Sequence, residues 1–474
     1  MRISLFLLLT ITSLHSFAQD QFAKAYAQIV TEVNQNSNAY TNLKQATESL
    51  GHRLTGSEQG EKAEKLAFDL LKSYGYDVRF QPFQMVSWQR KSLTLTIANQ
   101  QVKAVALAHS PIEARTESSL VDMGNGLEND YMGKDVKGKT VLVYLQLLPG
   151  SAPGTKNLHR SEKTAIAIKH GAEAIVFVNA VPGGVLLTGT ASITGDLITI
   201  PAACIGYEDG MAIKARLQKG DMLSAAMIMK NESARVNARN VIATLKGKSK
   251  EKIVVGGHLD SWDLATGAID NGIGSFAVID MARTLKRIKV KPKRTIEFVL
   301  FMGEEQGLLG SKAYVADAAA KNKLDDIAFM LNFDMTNAPT AFHSSREEMQ
   351  NLYRDWMKQL HSVDSTFHGK VSFGAGLHSD HQPFMLVGLP YGGGAGGILP
   401  NNAGAYYHSD KDVFSLVDKK GLEQTVMLGA ALAYSLANTA QIPAHRLSDG
   451  AIKDYLERNG LKTPLQVSGE WRWE

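Results

Sequence analysis

The chain has 474 residues, of which 44% are hydrophobic and 21% charged, and its formal net charge is +4 at pH 7. These values predict a globular protein with a well-developed core, and the small charge without a basic stripe excludes a nucleic-acid-binding surface. The length predicts two or more domains, and the single Cys204 excludes an intramolecular disulfide, so stability must come from packing and any bound metal.

Residues 1–18 have the pattern of a secretory signal peptide. Arg2 supplies a positive charge, an apolar run follows from Ile3 to Leu9, and the stretch ends in a small-x-small motif at Ser16 to Ala18. The run is too short for a stop-transfer helix, and no later run approaches the ~20 apolar residues of a membrane span. We therefore predict a secreted or periplasmic protein; the alternatives are an uncleaved anchor and a buried N-terminal helix.

Residues 19–110 are predicted to form the first part of the main domain. Apolar residues recur at three- and four-residue spacing from Ala63 to Tyr74, which predicts an amphipathic helix. Ser57 is its predicted N-cap, and Gly75 is predicted to end it. Alternating residues between Phe83 and Ala108 predict strands.

Residues 111–238 differ from their surroundings in sequence pattern and contain none of the metal-ligand candidates considered below. Two rounds of strand followed by helix are predicted, one ending at Gly171 and the other, after a further strand, at Gly220. We predict a β-rich α/β insert. It either gates access of the substrate or covers the main domain without a recognition role.

The main domain is predicted to resume at residue 239 and to end at residue 445. Its clearest strands are short apolar runs, namely Ile253 to Val255, Thr295 to Met302 and Ile327 to Phe333. An apolar helix from Lys419 to Thr439 is expected to close the core. The glycine-rich stretch from Gly392 to Gly397 lacks the lysine and the strand-helix context of a phosphate site, and we predict a flexible loop there.

The C-terminal tail, residues 446–474, contains one short helical pattern from Ala451 to Arg458. It ends with Trp471 and Trp473 in a polar setting. Exposed tryptophans can dock on the body of the protein or on a second subunit, so a homodimer is one of two open alternatives.

Residues of types that commonly bind metals follow the predicted strands of the main domain. They are His258, Asp260, Asp270, Glu304, Glu305, Asp334 and, much later, His408. Ligands gather outside the carboxyl ends of strands in α/β sheets, so these side chains are expected to meet at one edge. Two histidines and three carboxylates suit two zinc ions, since a carboxylate can bridge a pair of ions. Each residue alone would more commonly be a solvated loop residue.

The motifs HLDSWD, GEEQG and YH, together with a strand-end aspartate, resemble the co-catalytic di-zinc exopeptidases, a family with aminopeptidase and carboxypeptidase Q-like members. The resemblance covers most of the mature chain, including RLTGS at Arg53 to Ser57. It implies an α/β fold with a mixed central sheet flanked by helices, and an inserted protease-associated-like domain. The implied substrates are small peptides or dipeptides.

The resemblance also implies a role for each candidate residue. His258 and Asp334 would bind one zinc ion, and Glu305 and His408 the other. Asp270 would bridge the two ions.

Glu304 would be the general base, which agrees with its position beside a ligand without being required as one. From the sequence itself, Asp260 is a candidate to accept the proton on the second ring nitrogen of His258.

Three questions stay open at this point. His378 and His381, in HSDHQPF, either touch metal or shape the substrate pocket. No residue can be assigned from the sequence to bind the free amino end or the free carboxyl end of the substrate. The alternative functions are a glutaminyl cyclase-like transferase with one zinc and a non-enzymatic receptor ectodomain; retention of all five ligand candidates favours hydrolysis over both.

Overall fold

The computed structural model of the chain describes residues 22–474, and the predicted signal peptide, residues 1–18, lies outside them. Within these residues, fourteen strands form one mixed sheet with helices on both faces. The strands are β1 (Asp77–Ile97), β2 (Gln100–Val102), β3 (Ala104–Ala106), β4 (Glu113–Asp122), β5 (Thr140–Tyr144), β6 (Ala174–Val178), β7 (Ala202–Ile205), β8 (Ser224–Leu245), β9 (Lys252–His258), β10 (Thr295–Phe301), β11 (Ile327–Asn332), β12 (Ala341–Ser344), β13 (Ser372–Phe373) and β14 (Tyr391–Ala395).

The helices pack on the two faces of this sheet. They are α1 (22–36), α2 (Ala39–Leu50), α3 (Glu58–Ser73), α4 (Arg160–Lys169), α5 (Tyr207–Gln218), α6 (Ile273–Arg287), α7 (Leu309–Ala320), α8 (Gln350–Val363), α9 (His381–Leu386), α10 (Lys419–Asn438), α11 (Asp449–Arg458) and α12 (Lys462–Val467). In the described part of the chain, none of them combines the length and the hydropathy needed to cross a bilayer.

The three predicted core strands are confirmed and lie side by side. β9 is the middle strand, with β11 on one side and β10 on the other, and both pairings are parallel. The apolar run Ile253 to Val255 is fully buried, as expected for a parallel strand covered by helices on both faces. Because the strands are parallel, their carboxyl ends meet at one edge of the sheet.

The amphipathic helix predicted near the N-terminus is also confirmed, as α3. The Ser57 hydroxyl accepts a hydrogen bond from the backbone N–H of Gly60, which caps the helix. Gly75 follows with φ of 83°, a left-handed conformation that glycine adopts without strain.

The insert is a second α/β layer that continues the same sheet. β4, β5, β6 and β7 are parallel neighbours, flanked by α4 and α5 as predicted. β8 is 22 residues long and pairs with β1 along almost its whole length. Its first part also pairs with β4 and its last part with β10, so the predicted boundary at residue 238 falls inside a strand.

The prediction of a flexible loop at Gly392 to Gly397 is wrong, because most of this stretch is β14. This strand pairs with β11 and β12 inside the sheet. A Cβ atom on Gly392 would lie 2.2 Å from the backbone oxygen of His343, and one on Gly393 would lie 2.6 Å from that of Asn332. The glycines therefore permit a close approach of backbones, which outweighs their weak strand propensity.

Replacing Gly392 by alanine should lower the free energy of unfolding by about 1–3 kcal/mol, because the added methyl group has no space. Gly450→Ala is the matched control, since no atom lies within 4 Å of its Cβ position in α11 and alanine favours a helix. Urea unfolding monitored by circular dichroism measures both variants. Equal midpoints for the two would contradict the packing role of Gly392.

The C-terminal tail packs on the body of the molecule. Docking on the body was one of the two alternatives for Trp471 and Trp473, and both are half-buried against a cluster that includes Leu456 and Leu465. The indole N–H of Trp473 donates to Asp449 Oδ2 over 2.8 Å. Within residues 22–474, these contacts account for both tryptophans without a second subunit, and the homodimer stays a prediction.

Candidate metal centre

The strand order brings the predicted ligands to one edge of the sheet. His258 is the last residue of β9, and its register partner on β10 is Phe301, just before Glu304 and Glu305. β11 ends two residues before Asp334. The three turns that follow these strands therefore open into the same space.

Asp270 lies at the centre of the group, between two imidazole rings. Its Oδ1 is 3.2 Å from Nε2 of His258, and its Oδ2 is 3.1 Å from Nε2 of His408. Glu305 Oε2 lies 2.9 Å from the same nitrogen of His408, and Asp334 Oδ1 lies 3.4 Å from Nε2 of His258. The structure thus brings all five predicted ligands together, although they come from distant parts of the chain.

The donor set fits divalent cations. Two triads have ligand atoms within 4.8 Å of one another, one of His258, Glu304 and Asp334, the other of His258, Asp270 and Glu305. Glu305 Oε1 is buried and has no hydrogen-bond partner among the described residues. Burial, together with the nearby Asp270 carboxylate, raises the pKa of Glu305 to about 7 despite the opposing effect of His408. Buried carboxylates with unused oxygens are what a bound cation would satisfy.

Asp260 makes a contact that differs from the predicted one. Nδ1 of His258 lies 3.1 Å from the backbone oxygen of Asp260 and 3.7 Å from its Oδ1, so the carbonyl is the closer acceptor. The carboxylate instead accepts the backbone N–H of Glu304 over 3.3 Å. Asp260 therefore orients two elements of the site, the imidazole through its backbone and the Glu304 turn through its side chain.

Asp412, which was not among the predicted site residues, holds the central aspartate in place. Its carboxylate accepts the backbone N–H groups of Ile269 and Asp270 over 2.7 and 3.0 Å. The only sequence signal for this role is its place in the YYHSDKD segment, four residues after His408. Asn271, the next residue, connects this segment to the end of β11, because its side chain donates to the backbone oxygen of Phe333 over 2.9 Å.

The HSDHQPF segment shapes the site without joining the ligand group. His381 Nε2 lies 3.1 Å from the backbone oxygen of Gly376, and His378 stacks at 6.0 Å on His159 of the insert. Both histidines line a cavity of about 550 Å³ that opens onto the ligand group. Ser379, which the sequence reasoning missed, donates its hydroxyl to Asp334 Oδ2 over 2.7 Å.

The structure explains the RLTGS motif through Arg53, which is fully buried. Its guanidinium donates to three backbone oxygens of the loop after β9, those of Leu259, Thr266 and Gly267, over 2.6 to 2.8 Å. This loop connects His258 to Asp270. Arg53 therefore fixes the shape of the segment that carries two ligand candidates.

Replacing Arg53 by lysine should lower the free energy of unfolding by about 2–4 kcal/mol, because one ammonium group cannot reach all three carbonyls. Arg79→Lys is the control, since the Arg79 side chain is half exposed and lies 3.9 Å from Glu297. That change should stay within about 0.5 kcal/mol. Urea titration of both variants checks the difference, and an unchanged midpoint for Arg53→Lys would exclude the role in the loop.

The insert contacts the candidate site directly. The backbone N–H of Thr188 donates to the backbone oxygen of His408 over 2.8 Å. The backbone N–H of Leu186 donates to Asp410 Oδ1 over 3.0 Å, and the backbone N–H of Asp410 donates to the backbone oxygen of Leu186 over 3.1 Å. Arg160, at the start of α4, extends to within 3.2 Å of His408 Nδ1. One ligand candidate is thus positioned by the insert as well as by the main domain.

Two known families match parts of the chain. The family described as Peptidase family M28 matches residues 240–433, and the PA domain family matches residues 110–213. The second match begins one residue before the predicted insert and ends inside it, and the first covers the part of the main domain that carries the ligand candidates.

Curated relatives span most of the chain. It is 27% identical to the probable leucine aminopeptidase 2 of Aspergillus fumigatus, covering 88% of this chain and 86% of that protein. It is also 27% identical to aminopeptidase YwaD of Bacillus subtilis, covering 85% and 86%. Identity to mouse carboxypeptidase Q is 24%, covering 88% and 90%.

Solved structures share the fold over a similar length. A peptidase M28 precursor from Shewanella amazonensis superposes with a TM-score of 0.78 at 24% identity, covering 91% of this chain and all of that one. An aminopeptidase from Aneurinibacillus superposes with a TM-score of 0.65 at 25% identity, covering 89% and 98%. The chain therefore shares the overall fold of these proteins.

Proposed function

We propose that this chain, which is similar to exopeptidases of peptidase family M28 and carries a PA-domain match, hydrolyses terminal peptide bonds of small peptides with two zinc ions and a glutamate base. The position of Asp270 carries this proposal. A single carboxylate whose two oxygens face two different imidazole nitrogens is suited to bridge a pair of cations. His258 and Asp334 would hold one ion, and Glu305 and His408 the other.

Two zinc ions would lower the pKa of a water molecule toward ~7 and polarise the scissile carbonyl. The protein must then move a proton and keep the reacting groups aligned. Glu304 is suited to take the proton of the attacking water and to pass it to the leaving amine, because it lines the cavity and is not needed as a ligand. Asp260 holds the backbone of Glu304, so the base is fixed relative to the His258 strand.

The proposal includes a domain arrangement and a location. Residues 19–110 and 239–445 would form the catalytic unit, residues 111–238 the insert, and residues 446–474 the tail. The signal-like pattern of residues 1–18 supports export to the periplasm or beyond. The names of the relatives, which are aminopeptidases and carboxypeptidase Q, support cleavage at one end of a peptide and leave both ends open.

The direct test pairs elemental analysis of the purified protein with hydrolysis of free and end-blocked dipeptides. We expect two zinc ions per chain and cleavage of the free dipeptides. One zinc ion, with cyclisation of a glutaminyl peptide and no cleavage, would replace the proposal with a transferase. Absence of both metal and turnover would leave a binding domain.

A further inference from the structure

Two loops at one end of the sheet give the chain its positive net charge. Residues 246–252 and 286–294 contain ten basic residues and one acidic residue, whereas the whole chain has a formal net charge of +4 at pH 7. The remaining residues are therefore net negative when taken together. An excess of one sign at a single place on a protein attracts partners of the opposite sign.

The fold joins these two loops, although helix α6 and the loop that carries Asp270 lie between them in the sequence. The backbone N–H of Lys248 donates to the backbone oxygen of Lys293 over 2.8 Å. A Cβ atom on Gly247 would lie 2.4 Å from the backbone carbonyl carbon of Arg294, so only a glycine permits this close contact. The two loops therefore present their side chains as one surface.

Most of the cations on this surface have no acidic partner in the described part of the chain. Lys252 and Arg294 form ion pairs with Glu297 and Glu251. The other eight basic residues form no ion pair with any residue between 22 and 474, and seven of them are exposed to solvent. We call this surface the basic face, and its seven exposed cations are Lys246, Lys248, Lys250, Arg287, Lys289, Lys291 and Lys293.

Elsewhere the chain compensates exposed lysines with nearby carboxylates. Lys62, Lys65 and Lys321 each lie 2.6 or 2.7 Å from an acidic side chain one helical turn away. Asp77, which begins β1, and Asp326, just before β11, lie at the same edge of the sheet as the basic face. Neither makes an ion pair with it in the described structure. The like charges of the basic face therefore repel one another, and an external anionic surface would relieve that repulsion.

The basic face and the candidate metal centre lie at opposite edges of the sheet. β8 ends, and β9 and β10 begin, at the basic face, whereas His258 is the last residue of β9. The seven residues of β9 span about 20 Å at the usual rise of a strand. A surface that binds the basic face therefore leaves the cavity at the other edge open to the solution.

The described part of the chain also begins near the basic face. The ring of Phe22, in α1, lies 5.8 Å from the ring of Tyr434, in α10. One turn further along α10, the backbone oxygen of Ala437 accepts the backbone N–H of Arg294, at the end of the second loop. The signal-like apolar run of residues 3–9 precedes Phe22 in the sequence. A membrane that held this run would therefore be close to the basic face.

The composition of the basic face favours a lipid surface over other anionic partners. Six of its seven exposed cations are lysines, and lysine is depleted at protein–protein interfaces, whose centres are apolar. Residues 246–250 and 286–293 contain no aromatic residue on which bases could stack, as they do in proteins that bind single-stranded nucleic acids. Anionic lipids, in contrast, attract clustered lysine and arginine side chains without a defined pocket.

We infer that the basic face binds the surface of membranes that contain anionic lipids, with the candidate metal centre turned toward the solution. The inference goes beyond the proposed function and does not depend on it, because binding to lipid is measured without turnover. It gives the enzyme a location at the membrane surface while no described helix crosses the bilayer.

The test is co-sedimentation of the purified protein with two kinds of vesicle, phosphatidylcholine alone and phosphatidylcholine with about one-third phosphatidylglycerol. At low ionic strength the wild type should bind the anionic vesicles at least about 100-fold more tightly, since each basic residue near an anionic surface contributes about fivefold. Raising the salt concentration to about 0.5 M should remove most of this difference, because the charges are then screened.

A fourfold variant removes half of the charge of the basic face. It should bind the anionic vesicles about 100-fold more weakly than the wild type. The replaced side chains form no hydrogen bond or ion pair with any residue of the described structure, so the fold should persist, which circular dichroism checks. The four changes are Lys246→Gln, Lys248→Gln, Lys291→Gln and Lys293→Gln.

The matched control removes the same charge from exposed lysines elsewhere on the molecule. It should bind the anionic vesicles within about threefold of the wild type, because charges outside the contact are screened by salt. Equal binding of control and fourfold variant would mean that total charge, not the basic face, determines binding, and would refute the inference. The four control changes are Lys156→Gln, Lys219→Gln, Lys358→Gln and Lys370→Gln.

The orientation is tested by labelling lysines with an amine-reactive reagent and identifying the labelled peptides by mass spectrometry. Anionic vesicles should protect Lys248 and Lys291, whereas Lys312, an exposed lysine that lines a cleft beside Glu304, should remain reactive. Protection of Lys312 together with the basic face would contradict an outward-facing metal centre.

Three further results would overturn the inference. The first is equal binding of the wild type to neutral and anionic vesicles, and the second is binding that survives in the fourfold variant. The third is retention of the wild type on duplex DNA without binding to vesicles at the same salt concentration, which would assign the basic face to nucleic acid instead.

Discussion

Glu304→Gln should lower kcat for dipeptide hydrolysis by about 10²- to 10⁴-fold while zinc content stays at the wild-type value. Glutamine has nearly the shape of glutamate, but its amide cannot act as a base near neutral pH. Burial and neighbouring carboxylates raise the pKa of Glu304 well above its usual range, with His258 opposing them. The backbone of Glu304 stays tied to Asp260 in the variant, so only the proton transfer is removed.

Glu470→Gln is the matched control for this change. Glu470 lines the same cleft, but its carboxylate contacts Gln382 and Lys312 rather than the ligand group. Kinetics with a free dipeptide and elemental analysis of both variants are sufficient. Near-normal turnover of Glu304→Gln would remove Glu304 from the proton transfer, and loss of zinc in that variant would make it a ligand.

The ligand candidates could be predicted from the sequence because their positions follow from local rules. An apolar run such as Ile253 to Val255 predicts a buried strand, and the residues after parallel strands meet at one edge. His258, Glu305 and Asp334 are all placed in this way. They can be recognised as a candidate metal site because histidine, aspartate and glutamate are common metal ligands whatever their surroundings.

The residues that support the ligands could not be predicted, because their partners lie far away along the chain. Asp412 bonds to a backbone group 142 residues earlier, Arg53 to one 214 residues later, and Arg160 to a ring 248 residues later. Periodicity and motif spacing describe neighbours within a few residues. A role that arises only from packing leaves no local signal.

The error at Gly392 to Gly397 has the same origin. Glycine alone predicts a loop, but three backbones come so close around β14 that a side chain would collide with His343 or Asn332. The long strands β1 and β8 likewise escaped prediction as single elements, because their register is set by each other. Since β8 also continues into the insert, the insert and the main domain share their backbone hydrogen bonds.

Asp270→Ala should reduce the zinc content from two ions per chain to less than one and lower kcat/KM by at least about 10³-fold. The two oxygens of this carboxylate each face a different histidine, so its removal takes a ligand from each proposed ion and one negative charge from the pair. Asp270→Asn should show a similar loss, since a neutral amide keeps the size but not the charge. Both variants are measured by elemental analysis after dialysis against zinc.

Two aspartates near His408 make this prediction specific. Asp412→Asn should retain more zinc than Asp270→Ala, because Asp412 acts only by holding the backbone of Ile269 and Asp270. Asp410→Asn should retain both ions, because its side chain bonds to Leu186 of the insert and not to the ligand group. Two ions in Asp270→Ala would exclude the bridge. Equal losses in all three variants would mean that zinc responds to the fold of this segment rather than to the central carboxylate.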